Sequence, residues 1–110
     1  MEKKKGTGEL VVIRLADIEG IAKFAARIES FVKAGIVRFV LDLDSVAVVN
    51  STLLGVFVKT RIAATDQGGD LVLVNPSEFV SKALRVLGLS ELFTVAPDVP
   101  TAVAGLWPGG

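Results

Sequence analysis

Hydrophobic positions along the 110-residue chain fall into two alternating rhythms. Leu10-Val11-Val12-Ile13-Arg14-Leu15 is short and β-branched, which predicts a strand. From Ile18 the period changes: Ile21, Phe24, Ala25, Ile28, Phe31 and Val32 recur at i, i+3, i+4, i+7, the spacing of one helix face, and Gly35 marks its end. Lys23, Arg27 and Glu29 take the wet side. Ile36 to Leu43 is almost unbroken apolar sequence, the pattern of a strand covered on both faces and placed in the middle of a sheet. A second helix is expected from Ser51 to about Asp66, packing through Leu54, Phe57, Val58 and Ile62 and stopped by Gly68-Gly69. Leu71 to Val74 gives a third strand, and Asn75-Pro76-Ser77-Glu78 supplies the cap and first turn of a helix carrying Phe79, Val80, Ala83, Leu84 and Leu87. Phe93-Thr94-Val95 reads as a last short strand. Asp98 with Pro100 starts a terminal helix through Leu106, which Pro108-Gly109-Gly110 cannot continue.

The resulting order, β-α-β-α-β-α-β-α, predicts an α/β single domain with a mainly parallel or mixed sheet of about four strands and about four helices. Residues 9–107 form the expected domain, with a flexible segment at 1–8 and a tail at 108–110. A chain of this length with 51% hydrophobic residues can bury a core of its own.

Composition then removes chemistry. Cysteine is absent, so disulfides and thiolate metal sites are excluded, and so is histidine, the commonest general base and metal ligand. Zinc hydrolases and serine-histidine triads fall with it. Lys and Arg number 12 against 12 Asp and Glu, which leaves no global field for nucleic acid or an anionic membrane. Lys3-Lys4-Lys5 is the one basic run and reads as a solvated chain end. No apolar stretch reaches membrane-spanning length, and Met1-Glu2-Lys3 opens no signal-peptide core, so a soluble, cytoplasmic protein is expected. Asp42 and Asp44 flank a strand end, where a metal site of the response-regulator type would need a further acidic pair and a later lysine. No lysine follows Lys82, and a strand-end turn is the simpler reading. Gly68-Gly69 lacks the remainder of a phosphate loop. Trp107 and the leucine-rich helix around Leu84 either cover the core or form a partner surface.

The segment Phe39 to Gly55 carries the most information. A buried strand ends in Leu41-Asp42-Leu43, and after a loop Asn50-Ser51-Thr52-Leu53-Leu54-Gly55 opens a helix. There a hydroxyl meets unpaired backbone N–H groups and the positive end of the helix dipole. Asn50 and Ser51 both suit an N-cap. The segment resembles the phosphorylation loop of the STAS domain family (sulphate transporter and anti-sigma factor antagonist). Gln67 to Val74 is similar to the family's glycine-rich helix stop and following strand. Ala83 to Phe93 is similar to its leucine-rich helix, Gly-Leu and Leu-Phe sequence.

The resemblance spans Leu10 to Leu106. It implies a non-enzymatic, cofactor-free regulatory protein of partner switching in transcription, an anti-sigma factor antagonist. Such a protein binds an anti-sigma factor with serine kinase activity and is phosphorylated by it. By position the phosphoacceptor is Ser51, and Asn50 to Gly55 form the partner-binding loop. A phosphate would add about −1.5 to −2 charges there. Asn50 stands where the family commonly has an acidic residue, and Leu53 where it has glycine. Leu15 to Gly20 replaces the family's usual Gly-x-Leu/Ile-Asp turn. These departures suit an alternative: an unphosphorylated STAS subunit of a stress-signalling scaffold or lipid-transport assembly, meeting another STAS-containing complex. Nothing in the pattern selects an oligomeric state.

Overall fold

Parallel strands need crossover connections, and this chain supplies a helix for each. The structure, a computed structural model, describes residues 9–106. Its elements are β1 (Leu10–Arg14), a short 3₁₀ turn (Leu15–Asp17), α1 (Ile21–Lys33), β2 (Arg38–Asp42), α2 (Ser51–Asp66), β3 (Asp70–Val74), α3 (Glu78–Val86), β4 (Thr94–Ala96) and α4 (Val99–Leu106). The four strands lie in the order β1-β2-β3-β4, all parallel. The expected α/β architecture is thus present in its wholly parallel form. Lys3-Lys4-Lys5, the segment 1–8, Trp107 and the Pro108-Gly109-Gly110 tail lie outside the described residues.

A sheet laid down in chain order by crossovers of one hand places all three crossover helices on one face. Phe24 and Ile28 of α1, Leu54, Phe57 and Ala64 of α2, and Val80 and Leu84 of α3 accordingly share one core with Ile13, Phe39, Leu41, Leu71 and Leu73. The opposite face holds a smaller cluster, in which Ala102 of α4 packs with Val40, Val72, Val74 and Ala96. Register follows from this alternation. Phe39 lies beside Leu71 and Leu41 beside Leu73 on the larger core, while Val40 pairs with Val72 on the smaller. The middle strands are therefore apolar apart from their charged end residues, from Phe39 to Leu41 and from Leu71 to Val74, because neither face is wet there.

The three crossover helices stop in the same way. Gly35, Gly68 and Gly88 sit at φ of 89°, 87° and 73°, and the residue after each returns a hydrogen bond to the helix: Ile36 N–H to Phe31 C=O, Gly69 N–H to Ala64 C=O, Leu89 N–H to Leu84 C=O. This is the Schellman arrangement, which needs a residue at ease in the left-handed region. Gly69 has a different constraint: a Cβ on it would run into the carbonyl carbon and oxygen of Val37.

Some expectations shift. Leu15 leaves the first strand for the 3₁₀ turn, α1 begins at Ile21 rather than Ile18, and the last strand slides by one residue, with Phe93 buried before it. In α2 the buried positions are Leu54, Phe57, Thr60 and Ala64, so Ile62, expected inward, is 59% exposed and Val58 is half-buried. Phe79 and Leu87 of the α3 region also face solvent. Thr60, the buried polar residue, donates its hydroxyl to Val56 C=O at 2.7 Å, which satisfies it inside the helix.

Phe57→Ala should cost about 3–5 kcal/mol, since it removes a wholly buried ring. Gly69→Ala should cost a comparable amount, at least about 3 kcal/mol, because the obstacle is backbone. Urea unfolding followed by circular dichroism measures both. Wild-type midpoints would contradict the packing described.

Candidate functional site

The first turn of α2 sits at the carboxyl end of the parallel sheet, where β2 hands over to the loop 43–50. Its local geometry comes from Asn50. With φ −117° and ψ 173° this residue is extended, and its side-chain oxygen accepts the Leu53 N–H at 2.9 Å while its carbonyl accepts the Leu54 N–H at 3.0 Å. Asn50 is therefore the N-cap. Ser51 is the first helical residue, exposed, and among the described residues no hydrogen bond engages its hydroxyl. The ambiguity over which residue caps the helix is resolved in favour of Asn50.

The remaining loop residues divide between surface and core. Thr52 and Gly55 are exposed, Leu54 is buried, and a Cβ on Gly55 would meet open space. Leu53 turns inward. It packs against the core and, with Leu15, Ile18, Gly20, Ile21, Phe24 and Val46, lines an apolar groove of about 160 Å³. The side chain that stands where the family has glycine is thus spent on the protein's own wall. Helical spacing puts Ser51, Gly55 and Ile62 on one solvent-facing line, with Ile62 about 16 Å along the axis from Ser51 at 1.5 Å per residue.

Behind this turn, Asp42 and Asp44 serve the strand end. Asp42 Oδ1 accepts the Asp44 N–H at 3.0 Å, Asp44 Oδ1 accepts from Asn75 Nδ2 at 3.1 Å, and Asp44 Oδ2 lies 3.5 Å from Arg14 Nη2. Among the described residues no three His, Cys, Asp or Glu side chains gather as metal ligands, and no helix is long and apolar enough to cross a membrane. Sequence reasoning did not identify Arg14, Asn75 and Ser77 as neighbours of the loop. They reach it from other strands' ends, and no sequence spacing signals that approach.

A STAS domain model matches residues 2–102, and the chain belongs to the STAS domain family. Among solved structures, the crystal structure of TM1081 from Thermotoga maritima, assigned as an anti-sigma factor antagonist, superposes with a TM-score of 0.78 at 23% identity, covering 93% of this chain and 91% of that one. The NMR structure of the same protein gives 0.76 at 23% identity over 86% and 79% of the two chains. The anti-sigma factor antagonist SpoIIAA in its unphosphorylated form gives 0.73 at 22% identity over 94% and 95%. Among curated protein sequences, none matches with significance. At these identities the solved structures establish a shared fold.

Asn50→Ala should destabilise the domain by about 1 kcal/mol through loss of the cap, whereas Asn50→Asp should keep the cap and add about 0.3–1 kcal/mol from the helix dipole. Gly55→Ala should stabilise by about 0.5–1 kcal/mol, because the added methyl meets nothing. Thermal unfolding of the three variants checks the signs.

Proposed function

We propose that the protein is a non-enzymatic, cytoplasmic anti-sigma factor antagonist that binds an anti-sigma factor with serine kinase activity and is controlled by phosphorylation at Ser51. One observation supports this above others: the side-chain cap of α2 is Asn50, which accepts the Leu53 N–H, so the exposed Ser51 hydroxyl is not used in capping and the first N–H groups of the helix stay open beside it. The partner-binding loop of this reading is Asn50 to Gly55. A partner supplies the nucleotide, and the antagonist supplies an accessible acceptor on a rigid helix start. It needs neither cofactor nor metal of its own.

The physics of the switch is local. A phosphate at the first helical position would sit beside unpaired N–H groups and the positive dipole end, which stabilise it on the free protein. In a docked interface the same group adds charge and volume that must be desolvated. The free phosphorylated form is favoured and the complex disfavoured. Leu53 does not obstruct this surface, since it packs inward.

A second reading, an unphosphorylated STAS subunit of a stress-signalling scaffold or lipid-transport assembly, draws on Asn50. It lacks the carboxylate common in the family at that place and still caps the helix.

Incubation with anti-sigma kinases and ATP, followed by intact mass and peptide fragmentation, tests the proposal. The expected result is one phosphate, on Ser51, absent in Ser51→Ala. Ser51→Asp should weaken kinase binding at least tenfold by calorimetry, about 1.4 kcal/mol. Stable binding to such a partner without any phosphate would favour the second reading.

A further inference from the structure

The loop that leads into Ser51 is held from outside its own element. Two side chains of the β3–α3 turn reach it: Asn75 Nδ2 donates to Asp44 Oδ1 at 3.1 Å, and Ser77 Oγ donates to the Ala47 carbonyl at 3.0 Å. Between loop and turn lies a cleft of about 230 Å³, lined by Asp44, Ser45, Ala47, Asn75 and Ser77 among others. Among the described residues, the two non-glycine residues at positive φ are Ser45 at 68° and Asn75 at 52°, one on each side of this cleft. A left-handed serine is disfavoured on its own and persists where surrounding contacts over-determine it. Val46 and Val49 anchor the loop to the core, but Ala47 and Val48 between them are exposed. The Ala47 carbonyl is the point on that exposed stretch that the turn holds.

Ser77 has two duties at once. Its oxygen accepts the Val80 N–H at 3.1 Å as the N-cap of α3, and its proton goes to Ala47. An aspartate would cap equally well and donate nothing; threonine would do both. We infer that Ser77 and Asn75 are positioning residues for Ser51: the β3–α3 turn clamps the β2–α2 loop and so fixes how the first turn of α2 is presented to a partner. The functional meaning of the clamp rests on the Ser51 reading above. Its physical existence does not.

Amide hydrogen exchange by mass spectrometry on the full chain tests the clamp without kinase or nucleotide, comparing wild type with Ser77→Asp, Ser77→Thr and Asn75→Gly. The glycine keeps the left-handed backbone but loses the donor. Ser77→Asp and Asn75→Gly should raise exchange over residues 43–46, where the Leu43, Asp44 and Val46 N–H groups are hydrogen-bonded, by about tenfold or more, with α3 and the rest of the sheet unchanged, and Ser77→Thr should match wild type. Unchanged loop exchange in both variants would overturn the inference. So would loop and α3 exchanging faster together in Ser77→Asp, since Ser77 would then act on the helix alone. Failure to phosphorylate Ser51 would leave the exchange result standing, so the two ideas fail separately.

Discussion

The site depends on how α2 is rotated, and Phe57 sets that rotation. Its ring has no exposed surface and meets Phe24 of α1 edge-on at 6.0 Å and Phe93, ahead of β4, at 6.4 Å. Edge-to-face pairs of this kind add directional preference to simple burial. Once Phe57 points into the core, helical geometry sends Leu54, Thr60 and Ala64 the same way and leaves Ser51, Gly55 and Ile62 on the outside. The aromatic cluster thereby fixes the direction of a hydroxyl two turns away.

Much of the architecture was legible because burial on both faces of a parallel sheet leaves a strong mark. Phe39-Val40-Leu41 and Leu71-Val72-Leu73-Val74 have no wet side, so no polar residue interrupts them. Helix ends were legible for a different reason: Gly35 and Gly68 occupy backbone conformations that other residues enter at a cost. The phase of α2 was not legible. Apolar residues occur all round that helix, so Val58 and Ile62 were as plausible inward as Leu54 and Ala64. Tertiary packing of Phe57 decided between them. Phe79 and Leu87 misled similarly, because a wide apolar arc on α3 is only partly covered.

At the site, sequence pattern located the helix start but not the division of labour within it. Asn and Ser have similar capping propensity, and one residue of offset decides which hydroxyl or amide folds back. The contacts from Asn75 and Ser77 were illegible for a deeper reason. They cross from one strand end to the next, 30 or 31 residues away in sequence, and arise only when β2 and β3 lie side by side. Local patterns such as Asn-Pro-Ser-Glu announce a helix cap and say nothing of a second partner for the same hydroxyl.

Parallel order also explains why the two segments of the candidate site meet at this end of the domain. All the strands deliver their carboxyl ends to one side, so the β2–α2 loop and the β3–α3 turn are neighbours by topology. In open α/β sheets that edge is where loops meet ligands and partners. The sheet order here is monotonic among the described residues, with no reversal to open a deep crevice between strands. The loops present a surface with shallow grooves instead. Such a surface is suited to docking a protein more than enclosing a small substrate, and on it a single charged group changes the interface without any movement of the core. On the proposed reading, a helix start fixed by packing and a loop held by the neighbouring turn favour control by charge: the backbone would not have to rearrange for a phosphate on Ser51 to change what the surface can bind.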